Sequence, residues 1–206
     1  MGKKQLVLYG NSQIHAISDI VSLHSEFTDE YEITWDRPVQ TRQDDSATYL
    51  HTRMKNADVF IHQSVSAGYR GVDFSSDYLK TITDARCIWL FNYWFCGYNP
   101  EIGEVKTRGK KKPIDLMIFR HYYSGMSVED TYDHLKNDND PVAEQFARKI
   151  AKNGIAGLKR RQTIEKNKGG EIIGAADLVD KWTEHWLGIS KMHPTYVYYE
   201  VICNRI

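Results

Sequence analysis

The chain of 206 residues carries 27 Lys+Arg against 27 Asp+Glu and 41% apolar residues, with a mean hydropathy of −0.54. A chain this long buries about 70% of the surface its unfolded form exposes, so it needs no staples; its 12% aromatic residues exclude disorder, and 14 Gly with 5 Pro exclude collagen-like and low-complexity classes. Zero net charge argues against a general nucleic-acid binder, though local basic clusters are compatible with it. The cysteines, Cys87, Cys96 and Cys203, form no C-x-x-C pair, so a reducing compartment is expected and a disulfide framework is not. The N-terminal apolar run is too short for a signal peptide, and the stretch Cys87–Tyr98, interrupted by Asn92, falls short of the ~20 residues of a membrane span. A cytoplasmic location is expected.

In chain order, Gln5–Tyr9 reads as a buried strand and Gln13–His24 as a helix with apolar positions at Ile14, Ile17 and Val21. Tyr31–Trp35 alternates as a second strand, Ala47–Lys55 is helical, Asp58–His62 a third strand, Asp77–Thr83 a short helix and Cys87–Phe91 a fourth strand. Strands alternating with helices predict parallel crossover units, a three-layer α/β front half over residues 1–100. Beyond it, Gly103–Lys112 reads as a basic loop. Ser127-Val-Glu-Asp130 fits a capping box opening a helix to about Lys136. Asp140–Lys166 is helical in period with possible breaks at Gly154 and Gly157. Ala175–Leu187 is an amphipathic helix, and Pro194–Ile206 is compatible with a helix or a strand. The expected architecture is one domain, 1–206, with a mostly helical back half over 101–206.

The most informative segment is Leu6-Val-Leu-Tyr-Gly-Asn-Ser-Gln13, a strand leading through a turn into a helix. Open α/β sheets bind ligands at the carboxyl ends of their strands. The helix that starts there offers free N–H groups and a positive dipole end to an oxyanion or a phosphate. Ser12 is placed as nucleophile or polar anchor after Gly10, with Asn11 and Gln13 as amide donors; alternatively Asn11 or Ser12 is simply the helix N-cap. At the other end of the chain, the proline after His193 holds it outside a regular helix, which suits a general base presented from a loop, or a packing histidine. No acidic residue stands three before it, where Ser190 sits.

The segments Tyr9-Gly-Asn-Ser-Gln13, Ala57-Asp-Val-Phe-Ile-His-Gln63, Phe91 to Pro100 with Gly97-Tyr98-Asn-Pro100, Leu158-Lys-Arg-Arg-Gln162 and Met192-His-Pro194 resemble those of the WcbI family of capsular-polysaccharide biosynthesis proteins. The resemblance runs through most of the chain, and its first and last motifs are the more specific. It implies a cradle-like α/β fold that binds coenzyme A, with acetyl transfer to a polysaccharide sugar. The family is in turn similar to hydrolases of the SGNH (Gly-Asp-Ser) type, sharing an early nucleophile turn in a flavodoxin-like front half and a late histidine. Ser12 stands where the family has Cys, and Met192 where it has Asn. A serine needs a neighbouring base to become a nucleophile, because its hydroxyl is far less acidic than a thiol.

The phosphates of coenzyme A call for cations or helix N-termini. Lys110-Lys111-Lys112 and Lys159-Arg160-Arg161 are the clusters available, each also readable as a solvated face; Arg161 is favoured by the family position. Gln63, at a strand end, lines the site or bonds to backbone. Asn92 is buried against a partner or faces the pocket, and Tyr98 belongs to the family's aromatic segment. The histidines show no metal-site spacing, and no catalytic metal is expected. The reading reached is an acyltransferase using acetyl-CoA as cosubstrate to O-acetylate a carbohydrate hydroxyl, with His193 as base. The alternatives are a serine esterase or deacetylase, and a catalytically silent CoA- or ligand-binding protein. No general nucleic-acid binding is expected, and oligomerisation is left open.

Overall fold

Strand β1 (Lys4–Tyr9) occupies the middle of the molecule because its last four side chains, Leu6, Val7, Leu8 and Tyr9, are all buried. In this computed structural model all residues are described except 1, 36, 42–46, 96–101, 108, 138–140, 168–169, 186 and 191–192. After β1 come α1 (Ser12–Val21), α2 (Ser25–Glu30), β2 (Tyr31–Trp35), α3 (Ala47–Lys55) and β3 (Val59–His62). Then follow α4 (Ala67–Arg70), α5 (Ser76–Thr81) and β4 (Arg86–Leu90). The back half contains β5 (Ile102–Thr107), β6 (Lys110–Asp115), α6 (Leu116–Tyr123), α7 (Val128–Lys136), α8 (Pro141–Asn167) and β7 (Glu171–Ile173). The last elements are α9 (Ala176–Asp180), β8 (Gly188–Ser190), β9 (His193–Pro194) and α10 (Tyr196–Cys203).

The main sheet has five strands in the order β2-β1-β3-β4-β7, and every neighbouring pair is parallel. Alternate residues of a strand point to opposite faces. Leu6, Leu8 and Ile61 therefore join one core with Ile14 and Ile17 of α1, Leu158 of α8, Val179 of α9 and Tyr198 of α10. Val7, Tyr9 and Phe60 join the other with Leu50 and Met54 of α3 and Leu79 of α5. Helices thus cover both faces, as the alternation of strands and helices implies. The path from β1 to β2 goes one way along the sheet and the path from β2 to β3 crosses back over β1. The connecting helices α1 and α3 accordingly lie on opposite faces, since such crossovers share one hand. The carboxyl ends of β1 and β3 flank this reversal, the place where doubly wound sheets open a crevice.

Several expectations are corrected. The stretch Gly103–Lys112 is not a loop but part of an antiparallel hairpin, β5–β6, in which Thr107 faces Lys110 and Gly109 (φ 79°) provides the positive φ such a tight turn needs. Its lysines obscure the alternation of a strand. Helix α8 runs unbroken through Gly154 and Gly157 over 27 residues. A Cβ on Gly154 would sit 3.3 Å from the Phe95 ring, so the glycine permits close packing there. The helix expected over Ala175–Leu187 stops at Asp180 and gives way to turns, and the chain then passes Gly188, where a Cβ would lie 2.0 Å from Tyr93 Oη. The helix expected over Gln13–His24 is α1, which ends at Val21, and a separate short helix, α2, follows it. Strand β7, with its three residues, comes from the helical back half and completes the sheet beside β4. The open choice at Pro194–Ile206 resolves as helix α10. Ser127 caps α7 as its spacing implies, accepting from the Asp130 N–H at 3.0 Å and donating to the Asp130 carboxylate at 2.7 Å.

Candidate active site

The crevice at the carboxyl ends of β1 and β3 is built on close contact. A Cβ at Gly10 would lie 2.4 Å from Gln63 Oε1 and 2.7 Å from Ile14 Cγ1, so this position accepts glycine alone. Beside it, Asn11 has extended backbone (φ −85°, ψ −167°) and caps α1, its side chain accepting from the Gln13 N–H at 2.8 Å. The Asn11 N–H donates to Gln63 Oε1 at 2.9 Å, and Asn11 Nδ2 donates to Asn92 Oδ1 at 3.0 Å. Asn11, not Ser12, is therefore the N-cap. Ser12, the first residue of α1, is exposed. Neither its N–H nor its hydroxyl has a hydrogen-bond partner among the described residues. A free amide and a free hydroxyl at the positive end of a helix meet the requirement for holding developing negative charge next to a nucleophile.

Gln13 has a different part. It is 4% exposed, and its amide bonds both ways to the Tyr93 backbone, Nε2 to the carbonyl and Oε1 from the N–H, each at 3.0 Å. Gln63 Nε2 adds a bond to Gln13 Oε1 at 3.3 Å. With both halves of its amide engaged in the interior, Gln13 is a clamp between α1 and the segment after β4, and the expectation that it donates to an oxyanion is corrected. Gln63 is likewise an internal brace: its N–H donates to the Tyr9 carbonyl at 2.8 Å and its carbonyl accepts from Ser76 Oγ at 2.8 Å. Asn92 satisfies both of its open readings, since it accepts from Asn11 and is also on the cleft wall.

The cleft encloses about 410 Å³ and is lined by Asn11, Gln63 and Asn92 together with Gln40, Ser64 and Tyr69, among others. Its polar lining is amide and hydroxyl, with no carboxylate, ammonium or guanidinium among the described residues of the wall. Ser64, Ser66, Tyr69 and Gln40 are absent from the residues singled out by sequence. The rule that ligands sit past the ends of the strands flanking a reversal points to 64–66, which follow β3 directly.

His62, at the end of β3, is 3% exposed and stacks on Phe60 at 4.9 Å. Burial, and next the charge of Lys80, push its pKa down to about 4, so it is a neutral core residue and not an acid–base group. The candidate base is on β9. The structure describes the backbone of His193, while its side chain, like all of Tyr98 and Met192, lies outside the described part of the chain. The neighbouring helix α10 packs on α1, and its Tyr198 Oη donates to the Phe91 carbonyl at 3.4 Å, next to Asn92. The backbone of His193 is thus within a few residues of a side chain anchored at the cleft's end of β4.

The basic cluster on α8 divides. Arg161, exposed like Arg160, has its guanidinium 6.0 Å from the centre of the Phe91 ring, at that same end of the sheet, and partial desolvation of that group followed by the charge of Arg160 lowers its pKa. Lys159 points elsewhere, pairing with Asp180 at 2.5 Å between α8 and α9, and Arg160 is exposed. Lys110, Lys111 and Lys112 are on the β5–β6 hairpin, and none of them is on the cleft wall. Among the described residues no three His, Cys, Asp or Glu side chains are grouped to hold a metal, no helix is long and apolar enough to cross a membrane, and Cys87 and Cys203 are free thiols.

Comparison with known proteins places this geometry. Residues 5–196 match the family model described as polysaccharide biosynthesis enzyme WcbI. A solved structure of WcbI, a polysaccharide biosynthesis enzyme, in a native form without the disulfide bond between coenzyme A and one of its cysteines, superposes with a TM-score of 0.84 at 20% identity. The match covers 99% of this chain and 68% of that one, and at such low identity it speaks for the fold. No curated protein matches the chain.

Proposed function

From the premise that the chain belongs to the WcbI family of polysaccharide biosynthesis enzymes, we propose that it is an acyltransferase that moves an acetyl group from acetyl-CoA to a hydroxyl of a polysaccharide or glycoconjugate. The observation that carries this reading is the free N–H and hydroxyl of Ser12 at the start of α1, beside a cleft walled by amides and hydroxyls. The pantetheine arm of coenzyme A is itself uncharged and rich in amides, so Asn11, Gln40 and Asn92 offer it matching donors and acceptors. Arg161, at the Phe91 end, offers a cation for its phosphates. When bound, the cosubstrate supplies a thioester carbonyl open to attack.

In this mechanism His193 takes the proton from Ser12 Oγ as that oxygen forms a bond to the thioester carbonyl carbon. The Ser12 N–H and the α1 dipole hold the resulting oxyanion, a contribution of about 3 kcal/mol for one well-placed donor. Breaking the carbon–sulfur bond releases the thiolate, which His193 protonates. His193 then removes the proton of the acceptor hydroxyl as it attacks the acyl-serine, and returns that proton to Ser12 Oγ as the ester leaves. The alkoxide is a stronger base than a thiolate, so His193 matters more here than beside a cysteine. The hydroxyl at position 12 also favours a second reading, in which water replaces the sugar and the protein is an esterase or deacetylase.

Release of free thiol from acetyl-CoA, with and without polysaccharide acceptors, tests the proposal. Thiol release that depends on acceptor and is lost in both Ser12→Ala and His193→Ala supports it. Failure to bind coenzyme A at millimolar concentration in calorimetry overturns it, and hydrolysis of an aryl acetate without CoA binding selects the esterase.

A further inference from the structure

We infer that the arm formed by the β5–β6 hairpin and helix α6 docks on an anionic lipid bilayer surface. From Ile102 to Lys136, among the residues whose side chains are described, His121 alone is buried, and no side chain of this stretch belongs to either core. Short segments that bury so little of themselves present their apolar groups outward. Tyr122 is 76% and Tyr123 75% exposed, and Phe119, also exposed, lies tilted against Tyr123 with ring centres 4.6 Å apart, forming an aromatic cluster open to solvent. Ile118 and Tyr122 continue into an apolar groove of about 270 Å³ shared with Val128, Tyr132 and Leu135 of α7.

Charge decides what covers it. Lys110 and Lys112, two apart on β6, project on one face and are exposed, and no ion pair engages either among the described residues. On the other face Lys106 stands directly opposite Lys111, and Lys111 is paired with Glu104 at 3.0 Å. The basic strand runs straight into α6 through Asp115, whose carboxylate caps that helix, so cations and aromatic rings follow one another along the chain. On α7, the acids Asp130 and Asp133 line a recess that adjoins the apolar groove at Met126 and are not on the groove's own wall. A soluble polyanion would neutralise the lysines and leave the rings in water. A second copy docked about a two-fold axis would cover the rings but bring like-charged hairpins together. An anionic bilayer interface receives both, with tyrosine and phenylalanine rings at headgroup depth and lysines against lipid phosphates.

The test is co-sedimentation of the full chain with sucrose-loaded vesicles of phosphatidylcholine alone or in equimolar mixture with phosphatidylglycerol. At about fivefold per lysine, Lys110 and Lys112 predict binding roughly 25-fold tighter to the anionic vesicles, weakened as salt rises from roughly 0.1 to 0.5 M. Lys110→Glu with Lys112→Glu removes that preference. Tyr122→Ser with Tyr123→Ser weakens binding to both vesicle types while the far-ultraviolet circular dichroism stays that of the parent, because both rings are exposed. The proposal is overturned by absence of binding to anionic vesicles or by undiminished binding of either double variant. It is also overturned by a concentration-dependent dimer in sedimentation that the tyrosine variant abolishes.

Discussion

Replacing Gln13 by Leu tests the clamp between α1 and the segment after β4. The side chain is nearly the same size, so the cavity contribution is small and the loss is mainly polar. It removes both bonds from the Gln13 amide to the N–H and the carbonyl of Tyr93, each 3.0 Å and in the interior. An orphaned buried donor or acceptor costs about 1–3 kcal/mol, so the pair predicts a loss of about 2–6 kcal/mol, a large part of the 5–15 kcal/mol that typically holds a domain together. Urea unfolding gives the difference from the midpoint and slope. Gln13→Glu separates the two bonds: a carboxylate can accept from the Tyr93 N–H but cannot donate to its carbonyl. Burial raises the folded pKa of that new carboxyl above its unfolded value near 4.3. Its best stability relative to the parent is therefore reached below that unfolded value, where the protonated acid donates, and is lost as pH rises through the folded pKa. A Gln13→Leu protein within about 0.5 kcal/mol of the parent at unchanged slope, the range of an inert surface change, would refute the clamp.

Other outcomes follow from the same geometry. Ser12→Ala abolishes acetyl transfer yet leaves unfolding within about 0.5 kcal/mol of the parent, since the residue is exposed and bonds to no other side chain. Ser12→Cys places a thiol of lowered pKa at a helix N-terminus, and intact-mass spectrometry after incubation with oxidised coenzyme A detects the mixed disulfide. Arg161→Ala weakens coenzyme A binding about tenfold, as loss of one charge-assisted phosphate contact predicts. Lys159→Ala, already committed to Asp180, leaves calorimetric affinity unchanged. His62, held at a pKa of about 4 against an ordinary 6.5, contributes stability that is present above pH 6.5 and is lost as pH falls toward 4. The full loss is about 3 kcal/mol, and His62→Phe flattens that part of the pH–stability curve.

The parallel front half was legible because its strands are short apolar runs bounded by turn residues and its helices keep a helical period; β2 and α3 appear with the bounds read from sequence. The back half was less so for particular reasons. Lysines conceal the β5–β6 hairpin, β7 is too short to show a period, and the Trp-containing stretch after Asp180 has the composition of a helix but is turned by packing against Phe95 and Tyr93. At the site, sequence brought out Gly10, Asn11, Gln63 and Asn92, which meet at one end of the sheet, and Ser12, which follows Asn11 at the start of α1. It did not distinguish a buried amide from an exposed one, which is why Gln13 was expected among the donors. Lys159 and Arg161, two residues apart but turned to different sides of α8, were separated by the family position of Arg161 and not by composition or spacing.

The most direct measurement is a crystal structure with coenzyme A bound. The pantetheine arm is expected in the cleft between Asn11, Gln63 and Asn92, with its thioester carbon about 3–3.5 Å from Ser12 Oγ in the acetylated form, the separation of a reacting pair, and its phosphates toward Arg161. Coenzyme A bound elsewhere, or a sulfur turned away from the start of α1, would contradict this placement.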